Sequence, residues 1–133
     1  MSTTEMTGDN FESTLGSNDI VVLDCWASWC GPCRAFAPTF EAAAERHQGI
    51  VWGKLDTEAE QELASALAIR SIPTVMVFRQ GILLLRQAGA LPGSALDEIV
   101  EKVRSLDMDE VRKQIAEHEQ AHAEGRCDHD HEH

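Results

Sequence analysis

Val21-Val22-Leu23-Asp24-Cys25-Trp26-Ala27-Ser28-Trp29-Cys30-Gly31-Pro32-Cys33-Arg34 is the stretch on which the reading of the chain turns. Two cysteines with two residues between them either grip a metal or close on each other as a small disulfide ring. An apolar, β-branched run leads into the pair, and an alanine-rich amphipathic stretch from Arg34 to His47 leads out. That places the cysteines at a strand-to-helix junction. Cys30 then sits beside the free N–H groups of a first helical turn, where the positive end of the helix dipole favours thiolate over thiol. No second C-x-x-C or C-x-x-H pair stands at finger or ribbon spacing in the folded part, and the remaining cysteines are Cys25 in the strand and Cys127 near the end. A redox dithiol is favoured over a metal site.

Outward from this junction the elements fall in order. Asp9 reads as an N-cap with Glu12 three residues on and Phe11 and Leu15 facing inward, and Gly16 to Asp19 end that helix. Ile20 to Trp26 reads as a strand buried on both faces, interrupted only by the charge of Asp24. The helix after Cys33 carries Pro38 inside it and stops at Gly49. Ile50 to Asp56 is a second strand, and Thr57 with Glu60 matches a capping box for a helix burying Leu63, Ala64 and Leu67. Val75–Phe78 and Ile82–Arg86, joined by Arg79-Gln80-Gly81, predict an antiparallel hairpin. A last domain helix begins near Ser94 with Leu96, Ile99, Val100, Val103 and Leu106 on one face. Strand, helix, strand, helix and hairpin predict an α/β domain with a central mixed sheet flanked by helices.

The run Trp29 to Cys33 resembles the active site of thioredoxins, and the resemblance extends over residues 7 to 106. It includes Asp24, Lys54 in the next strand, Ile72-Pro73-Thr74 and Ala88-Gly89-Ala90. The resemblance implies the thioredoxin fold and thiol-disulfide oxidoreductase activity, the reduction of protein disulfides with Cys30 as nucleophile and Cys33 as resolving thiol. Asp24 would accept a proton from Cys33, with its own pKa raised by desolvation, and Lys54 would pair with it and moderate the rise. Pro73 resembles the family's cis-proline. Trp29, Gly31, Pro32, Ile72, Pro73 and Gly89 would form the shallow surface used on clients and on the reductase. Trp26 reads as core support and Cys25 as a buried inert thiol. Gly-Pro between the cysteines resembles the reducing members rather than oxidases or isomerases.

The 133 residues are enough for one domain, and no run is apolar enough to span a bilayer. The N-terminus carries neither a basic region nor an apolar core of a signal sequence, so a cytoplasmic location is expected, where such a pair is catalytic rather than a staple. A net charge of −12 excludes nucleic acid and anionic membranes as partners of choice. Expected partners are disulfide-bearing client proteins and a thioredoxin reductase, acting on a monomer. The sequence carries no nucleotide fingerprint, so no cofactor beyond the Cys30–Cys33 dithiol is expected.

The thioredoxin domain is assigned to residues 1–106 and an extension to 107–133, with a helix over about 107–124 and a disordered tail of Cys, His and Asp over 125–133 after a helix stop at Gly125. Nine acidic side chains face three basic ones in these 27 residues, so half of the net charge lies there. His122, Cys127, His129 and His131 are weak metal-ligand candidates, and no metal is assigned. The rival reading is a thioredoxin-fold binding or metal-binding protein acting through this extension.

Overall fold

The strand expected from Ile20 to Trp26 is the centre of a five-stranded mixed sheet. The computed structural model describes the backbone over residues 2–132 and side chains over residues 2–120. The elements are β1 Thr3–Glu5, α1 Phe11–Ser17, β2 Ile20–Trp26, α2 Gly31–Arg46, β3 Val51–Asp56, α3 Gln61–Ala66, β4 Thr74–Arg79, β5 Ile82–Ala88, α4 Gly93–Ser105 and α5 Met108–Glu132. Strand order is β1-β3-β2-β4-β5. β3 runs parallel to both β1 and β2, while β4 is antiparallel to β2 and β5. Parallel pairing of β2 with β3 follows from the long crossover through α2.

β2 is buried from Ile20 to Cys25 because helices cover both faces of the sheet. Alternation sends Val21, Leu23 and Cys25 into one cluster with Met6, Phe11, Leu55, Ala64, Met76 and Phe78. Val22 and Asp24 point to the other face. An aromatic row, Phe36 to Phe40 to Trp52 with His47 stacked on Trp52, lies along the buried side of α2. Gly53 is fixed by close approach: a Cβ there would stand 2.4 Å from Met6 Cγ and 2.9 Å from Leu23 Cδ2. The β4–β5 hairpin turns through Gln80 and Gly81, both with positive φ, a two-residue connection that suits the twist of the paired strands.

Several boundaries depart from the sequence reading. β1 has no signature in the pattern, since Thr3-Thr4-Glu5 is polar and its anchor is the next residue, Met6, wholly buried with its N–H donating to Lys54 O. α1 is capped at Asn10 rather than Asp9, and Asn10 Oδ1 accepts from Thr7 N–H, closing the preceding turn. The capping box at Thr57 does not form: Thr57 Oγ1 donates to Trp26 O, Glu60 Oε1 accepts from Gly8 N–H, and α3 begins only at Gln61. α2 starts at Gly31, three residues before the expected start, and continues through Pro38. Leu106 lies beyond the end of α4 and is exposed.

The chain divides into two compact units, Met1–Val100 and Glu101–His133, with the division inside α4 rather than after Leu106. In the second unit Val103 and Met108 are buried and Val111 is half-buried, whereas Ile115 is exposed. α5 runs to Glu132, so Gly125 does not stop it; an interior glycine costs about 1 kcal/mol against alanine but leaves the backbone ladder intact.

Candidate active site

Cys30 is the N-cap of α2, with extended backbone angles, and Cys33 lies in the first turn. Extended geometry at the cap turns the Cys30 side chain back over the helix end, so Cys33 N–H donates to Cys30 Sγ at 3.2 Å. The two cysteines are joined as a disulfide with Cα atoms 5.2 Å apart. Both are buried, at 5% and 2% exposure, against Ala27, Trp26 and Ile72. Pro32 sits at the start of α2, where its missing N–H leaves no helical bond unmade. When the ring opens, the amide of Cys33 and the helix dipole both favour negative charge on Cys30 Sγ.

The Ile72–Pro73 peptide bond is cis, and Ile72 O lies 3.9 Å from Cys30 Sγ. Gly89, with φ +96°, donates its N–H to Pro73 O at 2.8 Å and so ties the end of β5 to this loop. Trp29 is 66% exposed, yet its Nε1 donates to Glu58 Oε1 at 2.6 Å. Trp29, Thr57, Ile69, Arg70, Ser71 and Ile72 line a groove of about 200 Å³. Of the surface residues expected from the sequence, Trp29 and Ile72 line this groove. Gly31 and Pro32 are exposed at the start of α2, while Pro73 is buried and Gly89 half-buried beneath and beside the loop. A larger hollow of about 560 Å³, lined by Asp9, Glu58, Glu60 and Glu62 among others, includes neither cysteine.

Asp24 is fully buried and neither carboxylate oxygen has a hydrogen-bond partner among the described residues. Desolvation pushes its pKa up to about 6, against an opposing pull from Lys54. Register sets Asp24 opposite Lys54 across the β2–β3 pair. The direct pairing expected from the sequence is not made: Lys54 Nζ lies over the Trp26 ring, 5.1 Å from its centroid. The lysine gains a cation–π contact there and acts on the carboxylate only through space. Cys25, on the opposite face of β2, is a free buried thiol whose pKa is pushed up to about 12 by burial first and Asp24 second. So protonated, it is a poor nucleophile.

Residues 2–102 match the thioredoxin family model. The chain is 51% identical over 116 residues to the putative thioredoxin 2 of Streptomyces coelicolor, covering 87% of each chain. The chain belongs to the thioredoxin family. It is also 38% identical to the thioredoxin of Porphyra purpurea, over 77% of this chain and 97% of that one. Among solved structures, a point-mutant thioredoxin from Halobacterium salinarum superposes with a TM-score of 0.72 at 31% identity, over 77% of this chain and 91% of that one. Family membership and a C-x-x-C pair at disulfide distance make this thioredoxin a thiol-disulfide oxidoreductase, a protein-disulfide reductase.

Sequence reasoning missed Glu58, whose contact with Trp29 spans 29 residues and carries no local signature. It also missed Arg70, which nothing in its own neighbourhood distinguishes. The side chains of His122, Cys127 and the tail histidines lie outside the described residues, and among the described residues no cluster of potential metal ligands occurs. No helix among the described residues is long and apolar enough to cross a membrane.

Proposed function

We propose that Cys30 attacks client disulfides and Cys33 resolves the resulting mixed disulfide. The observation that carries this reading is the place of Cys30 as the N-cap of α2, accepting a hydrogen bond from Cys33 N–H. Cys30 thiolate forms a bond to one client sulfur as the client S–S bond breaks, and the departing client thiolate takes a proton. Cys33, losing its proton, then attacks Cys30 Sγ, and the second client thiol leaves. Two electrons pass from the dithiol to the client, and the Cys30–Cys33 disulfide remains. Asp24 accepts the Cys33 proton: with a pKa near 6, its carboxylate is available at neutral pH and can return the proton. Lys54 opposite keeps that carboxyl from rising further.

Clients would dock as extended segments over Trp29 and Ile72, and the Ile72 carbonyl, which lies beside Cys30 Sγ, would pair with the client backbone. Gly31 and Pro32 leave the approach to Cys30 open, while Pro73, held by Gly89, shapes the loop. The enzyme would work as a cytoplasmic monomer on disulfide-bearing proteins, reduced in turn by a thioredoxin reductase and holding no cofactor of its own. Turnover of a disulfide protein with NADPH and thioredoxin reductase tests this. Reduction by the native chain and its loss in Cys30→Ser are expected; equal rates with and without the chain would refute it.

A further inference from the structure

Arginine partners divide sharply along the chain. Arg46 donates to Asp97, Arg79 to Asp19, Arg86 to Leu67 O and Ala68 O, and Arg112 to Asp109; Arg104 also has a partner. Arg34 and Arg70 are exposed and have none among the described residues. Arg34 follows Cys33 in the chain and is not among the residues that line the groove, whereas Arg70 lines it with Trp29 and Ile72. A cation near a helix N-terminus opposes the dipole, so Arg34 gains nothing for the fold by standing there. Glu58 and Asp56 nearby keep their charge but are turned to neutral donors, and neither is among the residues that line the groove. Glu58 accepts the Trp29 indole N–H, and Asp56 accepts from the amides of Glu58 and Ala59.

Among the six residues that line the groove Arg70 alone is charged, so in a chain of net charge −12 one unengaged guanidinium stands where a client must lie. We propose that Arg70 makes the groove selective for disulfides flanked by carboxylates, so that acidic segments are the preferred clients. The proposal rests on the reductase reading of the dithiol. A guanidinium is always charged and matches a carboxylate in two-point geometry. At an ionic strength of about 0.15 M charges act over about 8 Å.

The test uses three matched peptide disulfides with Glu, Gln or Lys two residues from the target cysteine. The chain is reduced beforehand with dithiothreitol and desalted, so its own dithiol supplies both electrons. Single-turnover rate constants are measured at about 0.15 M salt and divided by each peptide's rate with dithiothreitol, which removes the peptide's intrinsic reactivity. The expected order is Glu over Gln over Lys, with Glu faster than Gln by about two- to fivefold, the range of one exposed ion pair. Arg70→Glu should invert the order, and about 1 M salt should collapse it. Equal normalised rates for the native chain, or an order unchanged in Arg70→Glu, would overturn the proposal while leaving the reductase reading intact. Reduction of none of the three would refute that reading and the proposal with it.

Discussion

Replacing Asp24 by Asn removes the one buried carboxyl that has no hydrogen-bond partner among the described residues. Its ordinary pKa of 3.8 rises to about 6 in the fold. At about 1.4 kcal/mol per tenfold change, that gap corresponds to about 3 kcal/mol. The sign follows from which state ionises first. Below pH 3.8 the carboxyl is protonated in both states and costs the fold nothing by ionisation. As pH rises from 3.8 towards 6 the unfolded chain loses its proton first, so stability falls, and above about 6 the full penalty is present. Asparagine never ionises; its buried amide carries a cost of about 1–3 kcal/mol that does not change with pH. The difference in unfolding free energy, variant minus native, should therefore grow by about 2.4 kcal/mol between about pH 4 and about pH 7.5 in favour of the variant. Urea unfolding of both proteins with the Cys30–Cys33 disulfide intact, at a series of pH values, measures it. A difference constant within about 1 kcal/mol across that range would show that Asp24 ionises normally, and the proton-acceptor role would fall with it. Turnover at neutral pH should also slow at the resolution step.

Four further outcomes can be measured. Gly53→Ala should destabilise by about 1–3 kcal/mol in urea unfolding, because its Cβ meets Met6 Cγ and Leu23 Cδ2; Met6→Ala in the same chain should cost less than the sum of the two single changes. Glu58→Ala should shift one of the three tryptophan resonances in fluorotryptophan NMR, that of Trp29. Stability should change by less than about 1 kcal/mol, since the pair is exposed. Among the described residues truncation after Leu106 removes one buried apolar side chain, Met108, so a loss of at most about 3 kcal/mol is expected with reductase activity retained. Calorimetric titration with zinc should then give weak binding to the full chain that alkylation of Cys127 does not change; tight, stoichiometric binding lost on alkylation would assign a metal role to the extension.

How much of the molecule is legible in the sequence depends on how local the determining physics is. β2 can be read because Ile20 to Cys25 is a nearly continuous apolar run, and burial on both faces follows from that alone. Cys30 and Cys33 can be read because helix-end chemistry depends on residues within one turn. Asp24 stands out as a charge in that run, and its raised pKa follows from burial. β1 is illegible: a polar edge strand of three residues is held by backbone pairing with β3 and by Met6 seated over Gly53, contacts about fifty residues distant in sequence. The expected capping box is lost for the same reason. Thr57 and Glu60 have the right spacing, but Trp26 O and Gly8 N–H compete for their side chains and win. Lys54 does stand opposite Asp24, yet its ammonium settles on an aromatic face that pattern alone does not reveal.

The central claim is that Cys30 attacks and Cys33 resolves. Mixing Cys30→Ser and Cys33→Ser chains separately with a disulfide-bearing protein, quenching with acid and weighing the products by mass spectrometry tests it directly. Cys33→Ser should accumulate a covalent adduct through Cys30, because the attacking thiol is intact and nothing releases the client. Cys30→Ser should form none. Adducts from Cys30→Ser and none from Cys33→Ser would contradict the account.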